Sequence, residues 1–254
     1  MSRARSRSWR IGGLVLAACV ACATGGMPVA ARAEAAAQIS PAERLIFMAD
    51  HLHGMGRDTE LDYALSDSDA AAAGTDAIAV RVVSPGNANG DARVFDHGKA
   101  VPLPNAGLPC NPAIIYFLEQ DIAEMERLTG GKRRYFQQRL RLALAAGPKI
   151  ETVTTRIGGK VLTARQIVVQ PYLADPNAAR FARYTGKRYT FLMADSVPGQ
   201  VAMIRTDVPG PNDGIAHPQQ TRTLVFRAMR HTPTPPRDGT KASAQLSDAS
   251  RAGR

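Results

Sequence analysis

Residues able to do chemistry cluster most tightly at Met48-Ala49-Asp50-His51-Leu52-His53-Gly54-Met55. Side chains alternate along an extended segment, so His51, His53 and Met55 would there face the same way. Two imidazoles and a thioether form a copper-type donor set, because soft sulfur favours Cu(I) and imidazole suits several metals. The competing reading makes them ordinary residues near the end of an element. Cys110 with His97 and Asp96 raises a second possibility, a thiolate with a neighbouring base. Pro102 and Pro104 lie between His97 and Cys110, and no cysteine-peptidase signature surrounds the thiol, which reads better as a buried core residue. Ser196, in Asp195-Ser196-Val197-Pro198-Gly199, lacks the elbow of an α/β-hydrolase and reads as a turn. Gly158-Gly159-Lys160 lacks the spacing of a phosphate loop and reads as a hairpin turn. No catalytic constellation is legible, and no motif names a cofactor.

The amino terminus carries the clearest instruction. Arg3, Arg5, Arg7 and Arg10 precede an apolar run from Ile11 to Ala23, and Ala31-Arg32-Ala33 offers a cleavage site before Glu34. This is the secretory signal pattern, so residues 1–33 are expected to be removed. At about 1.5 Å per residue the apolar run is too short for a ~30 Å bilayer core. Leu16-Ala17-Ala18-Cys19 also reads as a lipoprotein cleavage box, in which Cys19 would carry the lipid. The two alternatives separate a free periplasmic protein from one tethered to a membrane.

Charge follows from the same division. The first 33 residues hold five Arg and no acid, so the net charge falls from +10 to +5 when they are removed. The segment 231–254 holds Pro-Thr-Pro-Pro, has no apolar periodicity and reads as a disordered tail. It takes two more positive charges with it, which argues against a nucleic-acid partner. The mild positive charge left fits a soluble domain, and contact with an anionic membrane surface is compatible with it.

Residues 34–230 read as one α+β domain. The segment from Ala35 to Pro41 reads as a flexible lead-in. Leu61, Tyr63 and Leu65 alternate with polar or small neighbours, as do Ile78, Val80 and Val82, so each set lines one face of a strand. Ala92 to Asp96 reads as a returning antiparallel strand. Asn111-Pro112 opens a helix whose stripe is Ile114, Ile115, Leu118, Ile122, Met125 and Leu128, with Glu119, Asp121, Glu124 and Glu126 assigned to its surface. Gly130-Gly131 ends it, and a second helix from about Lys132 to Ala146 places Phe136, Leu140, Ala143 and Leu144 on one side. Lys132, Arg133, Arg134, Arg139 and Arg141 make this second helix basic, which suits docking on the acidic first helix or contact with anionic headgroups. The Tyr116-Phe117 and Tyr135-Phe136 pairs read as core rather than as a ligand cage. Ile150 to Ile157 and Lys160 to Val169 form a hairpin, a short helix follows Asp175-Pro176, and strands recur over Arg188 to Ala194, Gln200 to Thr206 and Thr221 to Met229. The expected fold is a curved, mainly antiparallel sheet of seven or more strands, with an inserted helical hairpin on one face.

Asn111-Pro112, Phe117-Leu118-Glu119, Thr129-Gly130-Gly131, Tyr135-Phe136, Pro171-Tyr172, Asp175-Pro176 and Asp195-Ser196-Val197-Pro198-Gly199 resemble a family of uncharacterised exported proteobacterial proteins. The resemblance covers about half of the mature chain and implies export and a β-rich fold, but no catalytic residue. In architecture alone the expected build is similar to the periplasmic half-barrels that carry lipoproteins. These observations imply a non-enzymatic envelope protein that binds or scaffolds an apolar ligand, an envelope component or a partner protein. The alternatives are a periplasmic copper-type protein using His51, His53 and Met55, and a hydrolase whose site is not legible.

Overall fold

The computed structural model describes residues 39–68, 75–83, 92–104, 108–211 and 214–231. Cys19, the signal-like segment and the tail beyond His231 lie outside them. Nine strands form one open, curved antiparallel sheet. They are β1 (Thr59–Asp67), β2 (Thr75–Val82), β3 (Ala92–Asp96), β4 (Lys99–Val101), β5 (Ile150–Ile157), β6 (Lys160–Val169), β7 (Arg188–Met193), β8 (Val201–Val208) and β9 (Gln220–His231). The order β4-β3-β2-β1-β9-β8-β7-β6-β5 joins two meanders through one long-range ladder, in which Leu61 faces Met229 and Ala64 faces Val225. The edges β4 and β5 are therefore consecutive in the chain, and the helical hairpin spans the gap between them.

The first helix of that hairpin, α2 (Pro112–Thr129), is capped by the Asn111 side chain and closed by Gly130 in the left-handed conformation. It lies against β3 and β8, and α3 (Arg133–Ala145) lies against β6. A short helix precedes the sheet, α1 (Pro41–Glu43), continued by a wide π-type turn over Arg44–Met48 and packed on α3. Its capping box corrects the reading of Ser40 and Pro41 as the end of a lead-in, of which residues 35–38 lie outside the described residues: Ser40 Oγ accepts from Glu43 N while Ser40 N donates to Glu43 Oε2, both at 3.1 Å. The short β4 was also missed. Three residues carry too little alternation to be seen, and the turn before it uses His97 and Gly98 at positive φ.

Alternation holds on the core face of the sheet. Leu61, Tyr63, Ile78, Val80 and Val94 from one meander meet Ile167, Tyr189, Phe191 and Ile204 from the other, all essentially inaccessible. Helix side chains fill the hollow above them. Phe117 and Met125 come from α2 and Phe136 from α3, and Phe136 packs edge-on to Tyr172 and Phe181. A smaller cluster, Ala164, Leu192, Ala194, Val197 and Ala202, covers part of the other face. The β5–β6 hairpin turns on Gly158 and Gly159, both at positive φ, as a tight right-twisting turn demands.

Leu128, placed on the apolar stripe from the sequence, is instead exposed. Asp121, placed on the surface, is fully buried, and Glu124 reaches Arg222 of β9 at 2.8 Å. Two of the four acids of α2, Asp121 and Glu124, thus fasten the helix to the sheet. Of the basic residues of α3, Arg133 does bridge to α2, at Glu119, but Arg139 turns to Asp175 at 2.8 Å.

Candidate functional site

The residues His51, His53 and Met55 do not lie on an extended segment. They sit in a turn, with His53 N bonded to Asp50 O and Met55 N to Leu52 O. His51 is buried, and both of its ring nitrogens are used: Nδ1 accepts from Asn111 N at 3.1 Å and Nε2 donates to Leu45 O at 2.9 Å. That pattern requires the neutral ring. Neither nitrogen can take a metal while these bonds stand. His53 is almost fully exposed and lies 3.5 Å from Asp50. The histidine that looked like a ligand therefore ties the turn after α1 to the start of α2.

Burial lowers the His51 pKa below its ordinary 6.5, outweighing the opposite pull of the Leu45 carbonyl. The unfolded chain takes up the proton near 6.5 and the native ring only at lower pH, so in that interval the unfolded state binds more protons. Stability is fully present above 6.5 and falls as pH is lowered, by at most ~1.4 kcal/mol per pH unit. Urea unfolding at about pH 7.5 and about pH 5.5 should show this loss, and His51→Gln, which can keep both bonds without titrating, should flatten it. An equal slope in the two proteins would assign the acid sensitivity to other groups.

The cysteine is likewise internal. Cys110 is buried in the core, and desolvation pushes its pKa up to about 12, so little thiolate forms near neutral pH. His97 faces solvent in the β3–β4 turn, bonded to Asp96 at 2.7 Å and 3.4 Å from Asp76. The structure leaves the thiol sealed and the imidazole outside. Ser196 lies in the β7–β8 turn, as its flanking residues suggested.

What sequence reading did not find is a groove of about 450 Å³ between the helical hairpin and the α1 segment. Its floor is Ile115, Leu118 and Ile122 from α2 with Leu140 and Leu144 from α3, and Phe47 closes one wall. Ile39 and Met48 stand on its lip, each about half exposed. The groove exists because α1 is pinned across the hairpin. Ser40 Oγ donates to Leu144 O at 2.8 Å, while Ala42 and Ile46 bury completely. The wide turn then carries Phe47 and Met48 out of that buried line and over the floor. An apolar stripe on each helix was legible; which part of it faces the sheet and which part the groove was not.

The polar rim holds Glu43, Glu119, Gln137 and Arg141. Among the described residues no helix is long and apolar enough to cross a membrane. No protein-family model matches the chain, and no curated protein is similar to it in sequence. Among solved structures, the Mycobacterium tuberculosis lipoprotein LppX is similar over 69% of this chain and 88% of that chain, at 11% identity and a TM-score of 0.26. A likeness of that size says nothing of fold or ligand.

Proposed function

We propose that this chain is an exported bacterial envelope protein that works by binding an apolar ligand rather than by catalysis. The observation that supports it is the groove, whose size lies in the range of small-molecule sites and whose floor is built of aliphatic side chains. Buried aromatic and aliphatic side chains occupy the space between sheet and helices, so the ligand belongs in the groove between the hairpin and the α1 segment. Export rests on the signal-like amino terminus, and Cys19 remains the candidate for lipid attachment if cleavage falls there. The sealed Cys110 and the structural use of His51 favour binding over thiol or metal chemistry.

Titration with the neutral fluorophore N-phenyl-1-naphthylamine tests the reading. Saturable, blue-shifted emission is expected with the full chain. Ile39→Glu combined with Met48→Glu, both on the exposed lip, should weaken binding roughly tenfold or more, because a carboxylate beside an apolar ligand must be desolvated. Unchanged binding in that variant, or no saturable signal from the unmodified protein, would overturn the assignment of the groove.

A further inference from the structure

The groove's rim narrows the chemistry of the ligand. Its two acids are already engaged. Glu43 accepts from Ser40 N in the capping box, and Glu119 accepts from Arg133 at 2.5 Å and from Gln137 Nε2 at 3.0 Å. Arg141 differs from both. It is exposed, it lines the groove directly beside the floor residue Leu140, and it makes no ion pair among the described residues. Among the described residues, the rim therefore presents a guanidinium without a counter-charge at the edge of an aliphatic floor. A guanidinium offers a planar fork of donors that matches an oxyanion, and its stem can lie along apolar surface while the head stays in water.

From this we infer that the groove takes a single-chain amphiphile with an anionic head, its alkyl chain on Ile115, Leu118, Ile122, Leu140 and Leu144 and its oxyanion on Arg141. The inference rests on the binding function proposed above. The floor residues follow the line where α2 packs on α3, which suits a single alkyl chain, and α1 packs on α3 beside them. Carboxylate and phosphate monoester heads share the chemistry that Arg141 would recognise. A cationic head would meet like charge at the same place.

Displacement of N-phenyl-1-naphthylamine by tetradecanoate, tetradecyl phosphate, tetradecanol and tetradecyltrimethylammonium, each below its micelle-forming concentration, separates these cases. At least one anionic amphiphile should bind roughly three- to tenfold more tightly than tetradecanol, the range expected of a rim-exposed ion pair on an apolar anchor. An advantage for tetradecanoate alone assigns a fatty-acid source, and one for the phosphate alone assigns a single-chain phospholipid source. Arg141→Gln should erase the advantage of anion over alcohol, and Arg141→Lys should restore part of it. Equal affinity for anion and alcohol, tighter binding of the cation, or an anion preference that survives Arg141→Gln overturns the inference and leaves the groove intact. Failure of the fluorophore to bind the unmodified protein overturns the underlying function instead.

Discussion

Replacing Asp121 by alanine should lower the free energy of unfolding by about 3–5 kcal/mol, among the largest effects expected of any single side chain here. Asp121 is fully buried on α2, and its carboxylate is the common acceptor of a network that reaches β7, β8 and the residue just before β7. Lys187 Nζ, just before β7, donates to Oδ1 at 2.6 Å; Tyr189 OH of β7 donates to Oδ2 at 2.6 Å; Thr206 of β8 stands 3.4 Å from Oδ1. Tyr172 extends the chain to Tyr189 at 3.1 Å. Lys187 is itself buried, so the alanine variant leaves an ammonium without a counter-charge inside the fold. The loss measures that stranded charge more than the worth of the pair, since two charges must be desolvated to make it. The double variant Asp121→Leu with Lys187→Met should accordingly recover most of the stability. Urea unfolding of the three proteins is the measurement. A single variant within about 1 kcal/mol of the unmodified protein would mean that Lys187 finds water or another partner.

Asn111→Ala should cost about 3–4 kcal/mol, well above the ~1 kcal/mol typical of a helix cap. The excess comes from what else this side chain does. Its Oδ1 accepts from Ala113 N at 3.0 Å, which is the cap, while Nδ2 donates to Tyr63 OH at 2.8 Å and to Gly199 O at 3.0 Å. Both latter partners are buried and would be left without this donor. Asn111→Asp separates the roles. An aspartate caps a helix as well as asparagine does, yet it offers no donor and would set a carboxylate against the Gly199 carbonyl. The aspartate variant should therefore be destabilised by at least as much as a simple cap loss; equal stability of Asp and Asn here would reduce Asn111 to a cap. Gly199 is part of the same device. At φ +74° it brings its carbonyl to Asn111, and a Cβ there would lie 2.6 Å from Asn111 Nδ2 and 2.5 Å from Leu61 Cδ1.

Both cases show where local reading stops. The cap at Asn111-Pro112 was legible because capping is a matter of neighbouring residues, and so were the strand faces of Leu61–Tyr63 and Ile78–Val80. The turn glycines at 158–159 belong to the same class. The partners that make Asn111 and Asp121 costly to lose lie 48 to 88 positions away in the chain. No periodicity reports them. An acid on a helix otherwise reads as surface, and only the counter-ion at Lys187 makes its burial possible. Ser40 and Glu43 show the converse, a local signal that was present in the spacing and overlooked because the helix it starts is only three residues long before its turn widens.

The amino-acid order by itself determines the antiparallel strands, the helical hairpin and the polar punctuation between them, since those depend on contacts a few residues apart and on alternation at fixed period. Only the tertiary structure decides that β1 pairs with β9 and so joins the two meanders into one sheet. It also decides that both ring nitrogens of the buried His51 bond to the backbone, and that α1 packs on the hairpin beside an apolar groove with Arg141 at its rim. Those outcomes depend on which surfaces meet after the chain has crossed the sheet, where burial, counter-charge and hydrogen-bond satisfaction are settled between residues that are distant in sequence.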